Sequence, residues 1–425
     1  MVTDIQDVPV PDGYKRTELG IIPKDWDIKS VGEICTIFGR IGFRGYTKKD
    51  IVIEGEGVIT LGPGNLQDSQ MDLKNCTYLS WDKWRESPEI QIWPGDTLLV
   101  KTGSTVGKTS FVSHLPMEST INPQIVVFKK RKIADALLAY LVASTDFQTQ
   151  LSAAQVGGAL PTLSQKQVEK FKLTISKCSK EQEAIAEALT DADEAIRSLE
   201  AVIAKKRDVK QATLHVLLTP TRRLPGFSEE WEEKEIHELC DICGGGTPST
   251  RIPHFWAAEI AWCTPTDITA LNGDKYIRST KRMISNLGLQ NSAATMIPEN
   301  SIIFTSRATI GEMAINPLPI STNQGFQNLI PKKGQDTDFL FYKLALHKID
   351  FLNASKGSTF LELGKNDLGQ IKVITPTTLE EQTAISTILS DMDAQIETLE
   401  TRLDKLRDVK QGMMQVLLTG KVRLI

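Results

Sequence analysis

Little in this sequence suits chemistry at a metal or a nucleophile. Five histidines and six cysteines are scattered over 425 residues, and no serine, histidine and acid stand at a spacing that marks a nucleophilic set. Cys240 and Cys243 form a CxxC with His237 and His254 nearby, but a structural zinc site takes four ligands at paired spacings. The second pair is missing unless Cys263 joins, and the matching place earlier in the chain holds Cys35 and Phe38, so a packing role is expected. The run TGSTVGKTS (residues 102–110) is close to a phosphate-binding loop, whose glycines and lysine cradle phosphates. Here Gly103 stands one residue too near Gly107-Lys108-Thr109, and the SFVSHLP that follows reads as a strand where that loop needs a helix. No carboxylate pair rises above ordinary surface charge. Neither a metal nor a cofactor is expected, and the chain reads as non-catalytic.

Other classes are thinned in the same way. No apolar run approaches the ~18 residues of a membrane span. The opening MVTDIQDVPVPDGY carries acids and prolines where a secretory signal has a basic flank and an apolar stretch. Scattered cysteines without an export signal read as reduced thiols of a cytoplasmic protein. Basic excess is also lacking: net charge is −4, with 18 Lys and Arg against 15 acids in residues 26–177 and 14 against 15 in residues 231–377. Non-specific DNA affinity comes from cations on phosphates, so a DNA partner would require the charge to be sorted by face. With 40% hydrophobic and 24% charged residues, the composition is that of a globular chain of two or three domains.

What the chain does have is a repeat of itself. RDVKQ occurs at Arg207–Gln211 and again at Arg407–Gln411, and around it the 44 residues from Glu181 lie over the 44 from Glu381 with half the positions identical. Upstream the match weakens but continues. GGALPTLSQKQVEKFKLTI from Gly157 faces KGSTFLELGKNDLGQIKVIT from Lys356, PGDTLLVKTGSTVGKTSFV from Pro94 faces PENSIIFTSRATIGEMAI from Pro298, and KDWDIKSVGEIC from Lys24 faces EEWEEKEIHELC from Glu229. A period of about 200 is far too long for a solenoid. A whole unit has been duplicated.

The preserved segment has the 4–3 spacing of a helical seam. In the second copy this runs through Ile385, Leu389, Met392, Ile396, Leu399, Leu403, Leu406, Met413 and Leu417, interrupted by Lys410. The first copy keeps Ile185, Leu189, Ala192, Ile196, Leu199, Ile203 and Leu217, with Lys206, Lys210 and Thr213 interrupting. Thr378 with Glu381 and Ser179 with Gln182 predict capping-box starts. A helix of ~35 to 40 residues with one apolar seam needs a partner. Each copy is acidic at its start and basic later, so antiparallel pairing sets acid against base, and an antiparallel pair within one chain is expected. The variable regions read as mixed α/β: GVITLG, TLLVKTG, QIVVFKK and SIIFTSR predict strands, and Ala134–Gln150 and Asp338–Asn353 each predict an amphipathic helix. The expected fold class is therefore α+β, with two mixed α/β domains separated by two long helices that form an antiparallel coiled coil, in an internal pseudo-twofold repeat. The boundaries are an N-terminal segment 1–25 completing the cyclic repeat, a first domain 26–177, a helical spacer 178–224, a second domain 225–377 and a second spacer 378–425.

This order of parts resembles the DNA-specificity subunits of type I restriction-modification systems. The phrases that carry the resemblance are GYKRTELGIIPKDWDIKSVGE, GGGTPSTRIPHFW, WCTPTDI at Trp262, SRATIG at Ser306, TTLEEQTAI and KQGMMQVLLTGKVRL. The resemblance implies that each variable domain is a target-recognition domain reading one half of a split site on double-stranded DNA. It implies that the helices set the gap, that two methyltransferase subunits dock on them, and that restriction/translocase subunits complete the complex. No membrane partner is implied. Arg and Lys suit guanine and Asn and Gln suit adenine in the major groove, while hydroxyls and lysines suit phosphates. By position in the repeat Lys101, Thr102 and Ser104 face Ser306, Arg307 and Thr309, and Asn122 and Gln124 face the Asn323-Gln324-Gly325 run. These, with Arg40, Arg44 and Lys48 from the loop at 39–50 and Thr247, Ser249 and Arg251 from the loop at 244–256, are the expected DNA-facing residues of the two domains. Arg207, Lys210, Arg407 and Lys410 are expected on the partner-docking helices. Two other classes stay open at this point: a coiled-coil scaffold joining two protein-binding domains, and a nucleotide-using enzyme built on the Gly103–Thr109 loop.

Overall fold

A computed structural model of the chain describes residues 9–40, 42–67, 70–154, 162–357 and 361–424. Residues 1–8 of the expected N-terminal segment, Ile41 of the first glycine loop, and residues 157–161 and 358–360 of the facing repeat phrases lie outside the described residues. The chain divides into two compact units, residues 1–201 with 401–425 and residues 202–400. Each unit thus contains one variable region and one half of each long helix.

In the first unit an antiparallel sheet has the order Thr109–Phe111, Thr97–Val100, Ile125–Lys129, Thr36–Gly39. All four residues of Thr97–Val100 are buried, and their apolar members meet two cores, Leu99 in one and Leu98 and Val100 in the other. A second sheet runs Gln91–Ile92, Ser119–Ile121, Val58–Leu61, Thr77–Leu79, Ile51–Val52, with a parallel pair at its centre. The second unit repeats the plan. Its first sheet is Cys240–Gly244, Gln327–Pro331, Ser301–Phe304, Met313–Asn316, and its second is Arg282–Ile284, Ile260–Cys263, Ile320–Thr322, Met296–Ile297, again with one parallel pair. The four predicted strands are all present within these sheets. The two predicted amphipathic helices are each split. Thr145–Ala154 follows Asp135–Ala143 because Ser144 turns extended and bonds back to Leu141, and Lys348–Ala354 follows Thr337–Ala345 across Leu346 and His347.

The long helices span Ser179–Leu217 and Leu379–Leu417, 39 residues each. At ~1.5 Å per residue each is about 58 Å long. Within the first unit Ile185 and Leu189 share a core with Met413, Leu417 and Leu418, while Asp193 meets Lys410 and Glu200 meets Arg407. Rising numbers on one helix face falling numbers on the other, so the pairing is antiparallel. Within the second unit Leu389 packs with Leu214 and Leu217, Asp393 meets Lys210 and Glu400 meets Arg207.

The expected capping boxes are replaced by something else. Glu381 is buried and accepts from Arg223 through both carboxylate oxygens (2.6 Å each) and from the Trp231 indole (3.3 Å). Gln182 turns inward to bond the backbone of Ala134 and Ser176. The first unit carries the same device as the second: buried Glu181 accepts from Trp26, Ser176 and Arg423. A charge withdrawn from water needs such partners, and the pairing of these glutamates with residues outside their helix outweighs a cap at an exposed end. Cys35 and Cys240 both lie in cores, and burial pushes each thiol up to about 12.

Candidate nucleic-acid interface

In the second unit the loop after Cys240–Gly244 crosses the end of the parallel strand pair. Gly245 and Gly246 allow this crossing, because an added Cβ would lie within about 2.5 Å of the backbone of Thr322–Asn323 and of Ala293 respectively. The Gly246 N–H donates to the Thr322 carbonyl (2.8 Å) and the Trp262 indole donates to the Gly246 carbonyl (3.0 Å). The loop then presents Thr247, Ser249 and Arg251, all exposed. Thr247 donates to the Gln324 side chain, and Asn323 Oδ1 accepts from the Gly325 N–H (2.8 Å). These residues, distant in sequence, share one rim.

Ser306, Arg307 and Thr309 border it through the backbone, since the Ser306 N–H donates to the Gly325 carbonyl (2.8 Å). Ala308 holds a φ of 61°, a region glycine favours, and so turns Arg307 outward, where it pairs with Glu362 at 2.7 Å. Ser306 itself is fully buried and the Thr309 hydroxyl is enclosed, so neither hydroxyl reaches the surface. One cation was missed by the sequence reading. Arg282 lies 3.7 Å over the Trp256 ring and 5.1 Å from that of Trp262, and the two indoles meet edge to face at 5.0 Å. It props the loop from behind.

The first unit repeats this geometry with other side chains. The Lys101 N–H donates to the Gln124 carbonyl (2.8 Å), as Ser306 does to Gly325, and the Leu163 N–H donates to the Lys101 carbonyl (2.9 Å), as Leu363 does to Ser306 (3.0 Å). Asn122 and Gln124 bond each other at 3.2 and 2.9 Å and sit half-buried beside Lys101 and Thr102. Ser104 and Lys48 are exposed. Arg40 is placed differently from the expectation. It is buried, and its guanidinium donates to the Ile121 carbonyl (3.1 Å), the Thr120 hydroxyl (3.1 Å) and the Arg44 carbonyl (3.3 Å). Burial pulls its pKa down. Arg40 thus braces the backbone at Arg44 from inside, while the Arg44 side chain pairs with Glu89 at 3.2 Å.

The repeated RDVKQ residues face the partner helix inside each unit. Lys410 Nζ bonds Asp193 and lies 5.6 Å from the Tyr140 ring, while the Tyr140 hydroxyl donates to Asp193 at 2.8 Å. Lys210, Asp393 and Tyr342 form the same triad in the second unit. This accounts for the polar interruptions of the seam at Lys210 and Lys410. Arg207 and Arg407 pair at the surface with Glu400 and Glu200 and keep more than half of their side chains exposed.

The family model described as the type I restriction modification DNA specificity domain matches residues 23–205 and again residues 228–408. The specificity subunit of the type I restriction enzyme MjaIX of Methanocaldococcus jannaschii is 35% identical over 183 residues, 43% of this chain and 42% of that protein. The putative MjaX specificity subunit of the same organism is 23% identical over 441 residues, covering 97% of each chain. Among solved structures, the S subunit of the M. genitalium type I restriction-modification system aligns with a TM-score of 0.60 at 13% identity, over 96% of this chain and 98% of that one. A chain from a structural study of assembly and conformational transition in the type I system aligns at 0.58 and 16% identity, over 94% and 99%. At these identities the structural likeness speaks for the fold.

Proposed function

We infer the function from one premise: the chain belongs to the type I restriction modification DNA specificity family, whose domain model spans it twice. On our reading it is the sequence-reading subunit of a type I restriction-modification complex, in which each unit reads one half of a split site on double-stranded DNA. The observation that carries this reading is the duplicated rim. In both units loops from two sheets bring hydroxyl, amide and cationic side chains to one edge, Lys101, Thr102, Asn122 and Gln124 in one and Thr247, Arg251, Arg307 and Gln324 in the other. Those are the groups that donate to and accept from base edges and phosphates.

Methylation and cleavage would belong to separate subunits. Two methyltransferase subunits would dock along the helices, where the exposed faces of Arg207 and Arg407 are repeated, and restriction/translocase subunits would complete the complex. The neighbouring methyltransferase subunits would then supply phosphate contacts that a chain of net charge −4 does not.

The test is co-expression with the cognate methyltransferase subunit, followed by mapping of modified adenines across a genome. A motif in two halves with a fixed gap is expected. Arg307→Ala should then relax one half, by about 10- to 100-fold in discrimination for a lost base contact, and leave the other half unchanged. Modification without a split motif would leave the coiled-coil scaffold as the better reading.

A further inference from the structure

The second unit holds a buried lysine that neither the repeat nor the candidate rim accounts for. Lys275 lies in the connection between Ile260–Cys263 and Arg282–Ile284, strands of the second sheet, and is 8% exposed. Its ammonium reaches Asp338 (2.7 Å) and donates to the Ser390 hydroxyl (2.9 Å) and the Tyr342 hydroxyl (3.1 Å), with the Tyr342 and Tyr276 rings at 4.8 and 4.9 Å. Asp338 and Tyr342 belong to the helix Thr337–Ala345, and Ser390 to the long helix Leu379–Leu417. The backbone is fastened too: the Lys275 carbonyl accepts from Ile315 (2.8 Å) and the Ile277 N–H donates to Ile315 (3.0 Å), against the edge of the first sheet. One side chain therefore ties the connection between two strands of the second sheet to both helices.

We propose that Lys275 is a positioning residue for half-site recognition, holding the sheet that carries Asn323 and Gln324 in a fixed pose on the helices of its unit. This rests on the proposed DNA-reading function. A buried ammonium with three oxygen partners and two aromatic faces is a directional lock, because each partner is lost if the sheet shifts by an ångström or two. Asn323 and Gln324 follow directly on Ile320–Thr322 of that sheet, and its strand Ile260–Cys263 accepts from the Asn323 N–H through Cys263 (3.0 Å). Movement of the sheet moves the rim.

The device belongs to one unit. The tyrosine that bonds the helix aspartate aligns Tyr140 with Tyr342, and four residues before it stands Ala136 in place of Asp338. In the first unit Tyr140, Thr190 and Asp193, aligned with Tyr342, Ser390 and Asp393, line an open cleft of about 800 Å³. The two half-sites should accordingly differ in how sharply they depend on this contact.

The experiment is the genome-wide methylation map of the full chain with its methyltransferase subunit, carrying Lys275→Met or, separately, Asp338→Asn. Discrimination is expected to fall about tenfold at one half-site, the same half that Arg307→Ala relaxes, with the other half unchanged. The Asp338→Asn variant keeps the niche filled and so reports the lock even if Lys275→Met fails to fold. Unchanged stringency at both halves overturns the proposal, and so does equal relaxation at both, which would mark Lys275 as general support of the fold. If the unmodified chain yields no split motif, the proposed function fails and this inference falls with it.

Discussion

Lys343 shows how one buried charge can be weighed. It is 5% exposed, donates to the Leu218 carbonyl at 2.9 Å, and burial pulls its pKa down to about 8. The unfolded value is about 10.4. Between the two the unfolded chain binds the extra proton, so stability rises with pH over that interval, and below pH 8 the full cost of the buried charge is present. The first unit has Leu141 one residue after its tyrosine, where the second has Lys343. Lys343→Leu is expected to raise unfolding stability at pH 7 by about 1 kcal/mol, the relief of burial less the lost charged hydrogen bond. The gain should shrink toward pH 10.5 in denaturant titrations across that range. A gain independent of pH would mean that burial does not lower the Lys343 pKa, the ammonium titrating alike in the folded and unfolded chain. At this scale the sequence was only partly legible. The expectation put Arg40 and Ser306 on the DNA-facing rim, but the side chains of both turn inward, since residue type and spacing do not fix which way a loop residue faces. Lys275 carried no signal at all, because its partners Asp338 and Ser390 are 63 and 115 residues away.

The helices were the most legible elements, because a 39-residue apolar period and its polar interruptions both register in one dimension. Their start signals misled, since Glu381 and Gln182 serve partners outside their own helices. The interruptions at Lys210 and Lys410 proved to be the more informative positions. Lys410 and Asp193 are largely buried together with Tyr140, so removing one charge strands the other. Lys410→Met alone should lower stability by about 2 to 4 kcal/mol, and adding Asp193→Leu should recover much of the loss. Additive losses in that double-mutant cycle would show that the pair contributes no coupling.

At the scale of the molecule, the duplication was visible in sequence, but the way the units are cut was not. The first unit is completed by residues 401–425. There Arg423 bridges Asp25 and buried Glu181, and the Tyr14 hydroxyl donates to the Gly420 carbonyl at 3.0 Å. Burial acts to raise the Glu181 carboxyl, but hydrogen bonds from Arg423, Ser176 and Trp26 together with the Arg423 charge hold it below the usual carboxylate range. Arg423→Ala should therefore weaken the half-site read by the N-terminal region before the other half, although the substituted residue lies at the far end of the sequence. Methylation maps reporting equal loss at both halves would contradict that division.

That division has a consequence in time. The second unit is continuous, residues 202–400, and has all its parts once they have left the ribosome, whereas the first emerges earlier yet lacks its partners from 401 onward. At roughly 5 to 20 residues per second, about 200 intervening residues impose a wait on the order of 10 to 40 s. During that wait Glu181, Trp26, Ile185 and Leu189 are without Arg423, Met413 and Leu417. The region made first is the last to be finished, and it is the one exposed to chaperones and proteases while synthesis proceeds.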